Sequence, residues 1–252
     1  ARRKIGHLAG QQEPSGGDPP MQDDYLFRNG IHACAVGGDY VLLDTALDRY
    51  LYLSGSQAAW FSDIAAAPKA GMSGLAGQFA ERLCDKHVLT RSKDLGQPIH
   101  LTPPCDVHAS IYDLDIGQGH APSLRHLATL VALRAAWGLA RRVRGGRLAA
   151  TLTAAQQWKQ TARAKASGSD ARAIDLARSF HALTPYCVSI HDACFLRSML
   201  LLQFLAHYGV DADWIFGVRL SPFAAHCWVS RNGIVLNEER DTCADYQTLM
   251  VI

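Results

Sequence analysis

What this sequence lacks narrows it before any motif is read. No apolar run approaches the ~18 residues that a membrane span needs. The longest candidate, Met199–Ala206, is short and interrupted by Gln203. The basic start from Ala1 to Gly6 is followed by no apolar stretch of roughly 7–15 residues, so it does not read as a secretory signal. A charge excess of one sign is missing as well: 25 Lys and Arg against 23 Asp and Glu leave +2, too little for a general nucleic-acid binder. Seven cysteines, odd in number and irregularly spaced, fit thiols of a reducing compartment and not a disulfide framework. The expectation is therefore a cytoplasmic protein without nucleic-acid or membrane partners. There is no G-x-G-x-x-G, no P-loop and no G-x-S-x-G, which removes the usual nucleotide cradles and the serine nucleophile elbow. What is present is a chain 48% hydrophobic and 19% charged, able to build a core and long enough for one or two domains.

Residues 1–20, polar and rich in Gly and Pro, read as a disordered extension. From 21 to 95 the pattern is that of a small α+β module. Ile31–Val36 and Tyr40–Asp44 flank Gly37-Gly38, a dipeptide suited to a two-residue hairpin loop, and Arg49–Leu53 reads as a third strand. Ser54 and Ser56 are candidate caps of a helix through Ile64. Leu75, Phe79 and Leu83 at i, i+4 and i+8 mark a second helix, and the strand edge of this module is open to a peptide. Residues 96–120, with Pro98, Pro103 and Pro104, read as a linker. From 121 to 252 helices are expected at Leu124–Val143, Leu148–Ala166, Asp170–Phe180 and Ala193–His207. Strands are expected at Trp214–Leu220, Ala224–Ser230 and Ile234–Glu239. Between Ile116 and Ser169 there is no Asp or Glu but nine Lys or Arg, read as solvated cationic helix faces or a surface for an acidic partner.

Cys194 opens the apolar helix, where Ser189 or Asp192 can cap it and free amide N–H groups favour a thiolate. His226 lies in the Ala224–Val229 strand, a candidate base for that thiol. A third group must hold the imidazole tautomer. A two-residue Asn232-Gly233 loop would set His226 opposite Glu239, whereas a three-residue loop that includes Arg231 would set Glu238 there. His181, Cys187, His191 and Cys194 can be written as a zinc set, but their spacing matches no known framework, and no metal is expected.

Three segments together carry a resemblance. They are Asp192-Ala-Cys194-Phe-Leu-Arg-Ser198, Gly217-Val-Arg-Leu-Ser-Pro-Phe-Ala-Ala-His226-Cys-Trp-Val229 and Asn232-Gly-Ile-Val-Leu-Asn-Glu238. They resemble the transglutaminase-like, papain-superfamily cysteine protease domain of lasso-peptide B proteins. Residues 25–92, with Tyr40-Val-Leu-Leu-Asp44 and Arg49-Tyr-Leu-Tyr-Leu53, resemble the winged-helix-like PqqD (RRE) module that precedes it. The resemblance implies a peptidase that binds the leader of a lasso precursor peptide and cleaves it from the core. An asparagine-synthetase-like lasso cyclase then closes a macrolactam on the freed amine. It implies Cys194 as nucleophile, His226 as base and Glu238 as orienting acid, where the family usually has Asp. No cofactor is implied beyond the ATP used by the partner cyclase. Tyr50, Tyr52, Leu53, Leu75, Phe79 and Leu83 are the candidate leader-binding residues, and a fragment ending near Ser92 is expected to bind leader alone. The alternatives are a leader-binding chaperone with a degenerate protease half, and a transglutaminase-like acyltransferase.

Overall fold

The computed structural model of the chain describes residues 24–67, 72, 74–114, 122–144, 148–165, 168–187 and 194–252. The expected disordered segment 1–20, the Gly145-Gly146 break and the two proposed caps, Ser189 and Asp192, lie outside these residues.

The first half contains β1 (Leu26–Arg28), β2 (Ile31–Val36), β3 (Asp39–Asp44), β4 (Arg49–Leu53), α1 (Ser56–Ala66), α2 (Gly74–Asp85), β5 (Leu89–Thr90) and β6 (Gly96–Gln97). Gly37 and Gly38 both have positive φ, so Val36 pairs with Asp39 and the antiparallel register runs back to Ile31 and Asp44. Strand alternation then splits this sheet into two apolar faces. Ile31, Ala33, Leu42 and Leu53 pack with Phe61, Ile64, Phe79 and Leu83 of α1 and α2. Cys34, Val41 and Leu43, on the opposite face, join the core of the second half. Cutting the chain near Ser92 would uncover those three residues and remove β6, which pairs with β1. The expected leader-binding fragment is therefore not a self-sufficient unit, and the full chain is what a binding assay must use. The α1 cap also differs from expectation. It is Gly55, with φ 55° and no side-chain hydrogen bond, while Ser54 contributes only its carbonyl, which accepts from the Gln57 N–H at 3.1 Å.

The second half contains β7 (Ala109–Ser110), α3 (Leu124–Arg144), α4 (Leu148–Ala164), α5 (Asp170–Cys187), α6 (Cys194–His207), β8 (Asp213–Arg219), β9 (Ala224–Arg231), β10 (Ile234–Val235), α7 (Arg240–Ala244) and β11 (Gln247–Val251). The stretch read as a linker thus gives a strand to each half, β6 and β7. The five-stranded sheet runs β11-β8-β9-β10-β7, antiparallel except for the β7–β10 pair. Helix α6 is apolar around most of its surface, as a helix buried on all sides must be. Leu196, Met199 to Leu202, and Phe204 to Ala206 are all buried. Helix α5 runs past Pro185 to Cys187, beyond the Phe180 end expected from sequence. A proline so near the C-terminal end removes only a last-turn hydrogen bond and does not force an end.

Candidate active site

Cys194 is the first residue of α6, half-buried, in the turn whose backbone N–H groups have no helical partner. Ser198, one turn on, donates its hydroxyl to the Cys227 carbonyl of β9 at 3.0 Å, which holds the start of α6 against that strand. The Cys194 sulfur receives hydrogen bonds from the Cys227 thiol and from His226, and these bring its pKa down to about 4 against the opposing effect of burial. Cys227 is pushed the other way, well above a normal thiol, because it is buried and faces the Cys194 charge. One cysteine is the anion and the other its donor.

His226 sits on β9 opposite Gly217 of β8. Its ring packs near two others, Trp228 with centroids 6.1 Å apart and planes at 28°, and Tyr246 with centroids 5.4 Å apart. A Cβ at residue 217 would come within 2.8 Å of both the Trp228 ring and Tyr246 Cβ. Glycine is therefore required there for the rings to close under the imidazole. His226 Nε2 donates to Glu238 Oε2 at 3.0 Å, which leaves Nδ1 for the thiol. Burial disfavours charge on His226, but hydrogen bonds to Cys194 and Glu238 outweigh it and raise the pKa to about 9. The His226 hydrogen bond holds the Glu238 carboxyl below its ordinary value despite partial burial. From about pH 4 to about pH 9 the site therefore holds a thiolate–imidazolium pair beside a carboxylate.

Glu238 reaches His226 by a route other than either hairpin alternative. The loop has two residues, Asn232 and Gly233, both with positive φ, and Ile234 pairs with Arg231. That register, continued, would bring Glu239 opposite His226. It is not continued. The Leu236 N–H bonds to the Val229 carbonyl at 2.8 Å, but the reciprocal bond is missing. The Val229 N–H instead donates to Asn237 Oδ1 at 2.7 Å, and the Leu236 carbonyl accepts from His181 Nε2 at 2.7 Å. The buried Asn237 completes its bonding by donating from Nδ2 to Ser198 Oγ at 2.9 Å, and Ser110 Oγ donates to the Glu238 carbonyl at 2.7 Å. The ladder ends at Leu236, the chain swings out, and the Glu238 carboxylate comes to the imidazole.

Asn237, Ser198 and Arg197 were not picked out as site residues from sequence, and His181 was weighed there only as a zinc ligand. Burial keeps the His181 pKa at about 4, so its ring is neutral: Nε2 donates to Leu236 and Nδ1 accepts from Arg197 Nη2 at 3.3 Å. Arg197 also donates to the Tyr112 hydroxyl at 3.3 Å, and its charge helps to keep Glu238 ionised. With Nε2 engaged this way, His181 is a brace for the Glu238 segment. His191, the other histidine of the zinc set that the spacing argued against, lies outside the described residues. Among the described residues no group of three or more His, Cys, Asp or Glu is arranged to hold a metal ion.

The six candidate leader-binding residues part company. Leu53, Phe79 and Leu83 are buried in the first half's own core, because the amphipathic face of α2 is used to cover its sheet. Tyr50, Tyr52 and Leu75 remain exposed. Tyr50 and Tyr52 point to the face of the sheet that turns toward the second half. The edge of β2 is covered, since its Ile31 and Ala33 carbonyls accept from Gln97 Nε2 and the Thr102 N–H at 2.8 Å each. Strand β4 is the other edge, and among the described residues no strand pairs with its outer side.

Residues 127–251 match the family model of the transglutaminase-like superfamily, so the chain carries such a domain in its C-terminal part. Neither the curated proteins nor the solved structures gave a match. No helix of the described residues is long and apolar enough to cross a membrane.

Proposed function

We propose that this protein is a cysteine peptidase that holds the leader of a ribosomally made lasso-type precursor and hydrolyses the leader–core bond. One observation carries the chemistry: the 3.0 Å bond from His226 Nε2 to Glu238, which leaves Nδ1 of the imidazole for Cys194. Thiolate, imidazolium and carboxylate are the groups acyl transfer needs. The Cys194 thiolate attacks the carbonyl carbon, and the electron pair moves to the carbonyl oxygen, for which the Cys194 backbone N–H is a donor. Collapse of the adduct expels the amine with a proton from His226 and leaves a thioester. Neutral His226 then takes a proton from water, hydroxide adds to the thioester, and the carboxylic acid leaves as the thiolate re-forms. Glu238 stabilises the imidazolium at each stage and fixes which nitrogen faces the sulfur.

The first half acts as the PqqD-like recognition module, and the free edge of β4 is where the leader adds as an extended strand. The freed core passes to an asparagine-synthetase-like cyclase, which supplies any ATP. Cys34, Cys84, Cys105, Cys194, Cys227 and Cys243 are free thiols, which suits the reducing cytoplasm. Transfer of the acyl group to an amine in place of water uses the same three residues and is the second reading. Incubating the full chain with a lasso-type precursor and weighing the products separates the outcomes. Shortening at one bond supports hydrolysis, added mass on the acyl fragment indicates transfer, and binding with no change in mass indicates a chaperone.

A further inference from the structure

Tyr50 and Phe223 come from opposite halves of the chain and meet edge to face, with ring centroids 5.4 Å apart and planes at 68°. Both remain open to solvent, at 40% and 52% of their surface. Phe223 lies in the turn between β8 and β9, three residues before His226. Tyr50 is on the β4 face turned toward the second half. Its hydroxyl, pushed up to about 12 by burial and then by Cys227, Asp48 and Cys194, is close enough to feel both cysteines and stays neutral. Two uncharged rings thus stand at the approach to the nucleophile, and neither is consumed by a core. Two adjoining exposed rings offer flat apolar area that a ligand side chain can cover.

The path of a peptide supports the same location. A strand added to the open edge of β4 passes Tyr52 and then Tyr50, about 6–7 Å further on. At Tyr50 it comes up against Phe223, whose ring meets that of Tyr50. The face of a strand that carries two tyrosines offers flat rings to the alternate side chains of an added strand.

We infer that Tyr50 and Phe223 form an aromatic ledge that receives an apolar side chain on the acyl side of the carbonyl attacked by Cys194. This rests on the reading of Cys194 as the nucleophile. A ledge of two rings discriminates by apolar area, and a methylene or more of such contact is worth about 10–200-fold in selectivity. Leucine or phenylalanine beside the reacting carbonyl is therefore favoured over alanine.

The test uses the full chain and peptidyl chloromethyl ketones, acetyl-Ala-X-Y-CH₂Cl, in which X and then Y is Ala, Leu or Phe. The Cys194 thiolate displaces chloride from the methylene carbon, and mass spectrometry gives the second-order rate at that residue. Iodoacetamide, too small to reach the ledge, reports on the thiolate alone. The wild type should prefer Leu or Phe over Ala at one of the two positions by about tenfold or more. Tyr50→Ala and Phe223→Ala should each reduce that preference to about threefold or less, and Tyr50→Phe should keep it. No preference in the wild type overturns the ledge, as does a preference that survives both alanine variants. A preference lost equally in Tyr50→Phe also overturns it, since that would assign the effect to the hydroxyl. Failure of iodoacetamide to label Cys194 in the wild type would instead sink the thiolate reading, and the ledge with it. Both side chains are exposed, and equal melting temperatures for the variants exclude misfolding as the cause.

Discussion

The β2–β3 hairpin pairs six residues on each side of Gly37-Gly38, from Val36 with Asp39 back to Ile31 with Asp44. The β9–β10 hairpin turns on an equally short loop, Asn232-Gly233, yet its strand pairing stops after Val235. Both loops place two consecutive residues at positive φ, so the turn chemistry is alike. What differs is who answers the backbone groups after the turn. In the first hairpin the partner strand keeps its register through all six pairs. In the second, Asn237 takes the Val229 N–H and His181 takes the Leu236 carbonyl. A turn sets the register of a hairpin, but intercepting side chains decide how far that register is obeyed. Here the departure from it brings an acid to a histidine.

Breaking the chemistry that the diverted hairpin serves should have the largest effect. Cys194→Ala removes the nucleophile, so peptide cleavage and iodoacetamide labelling at this residue should fall to background while the melting temperature holds. Labelling transferred to Cys227 would contradict the assignment, because burial and the neighbouring Cys194 charge keep that thiol protonated. In the wild type the labelling rate should collapse as pH falls through about 4, where the thiolate takes up a proton. Cleavage should fall as pH rises through about 9, where His226 loses the proton that the leaving amine needs.

Next in size is the acid itself. Glu238→Gln keeps the shape and removes the charge. Removing the orienting carboxylate of a serine-protease triad costs roughly 10⁴ in rate, and a thiol, easier to ionise, should suffer less, so a fall of at least about tenfold in kcat is expected. Because Glu238 helps to hold the proton on His226, the alkaline limb should also move to lower pH. Glu239→Gln should change neither quantity. If Glu239 proved the sensitive position, the ladder would have to continue past Leu236 in solution.

Asn237→Ala tests the interception. It leaves the buried Val229 N–H and Ser198 hydroxyl short of a partner, which costs about 1–3 kcal/mol of stability for an unsatisfied group. A merely structural asparagine would lower the melting temperature and leave the pH profile alone. A positioning residue acting through Glu238 should move the alkaline limb in the same direction as Glu238→Gln, with a several-fold loss in kcat. Asn237→Asp, which keeps the acceptor for Val229, should recover part of both.

How much of this was legible in the sequence depends on where each signal lies. The Arg49–Leu53 strand was read with its observed bounds because alternation and a polar turn mark both ends locally. Strand β11 was missed, and the two-residue β7 exists only because β10 offers it a parallel edge. Leu75, Phe79 and Leu83 were read correctly as one helix, but a periodic stripe does not say whether it faces its own sheet or a ligand, and here Phe79 and Leu83 are core. The pairing of His226 with Glu238 was expected through a three-residue loop that does not exist. The available clue was Asn237, a residue strands disfavour, placed directly after the apolar run Ile234–Leu236 and before Glu238.

The smallest effects should come from the turns themselves, and one substitution made twice sharpens the contrast. Gly38→Ala puts a side chain at φ 92°, but no atom lies within 4 Å of the new Cβ. The cost is backbone strain alone, about 1–2 kcal/mol. Gly233→Ala imposes a similar strain at φ 77° and adds contacts, since its Cβ would collide with the His108 ring and sit 3.3 Å from the Asp106 carbonyl. The His108 and Ala109 N–H groups donate to the Gly233 carbonyl, so displacing this turn also disturbs β7 and, through Ser110, the backbone of Glu238. Thermal melting should therefore show the larger loss for Gly233→Ala. The alkaline limb of cleavage should move only in that variant, because the Gly37-Gly38 turn closes a ladder that ends in no catalytic group. Equal melting losses with unmoved pH profiles would mean that the β9–β10 turn is scaffold like its counterpart, and that Asn237 and His181 alone hold Glu238 in place.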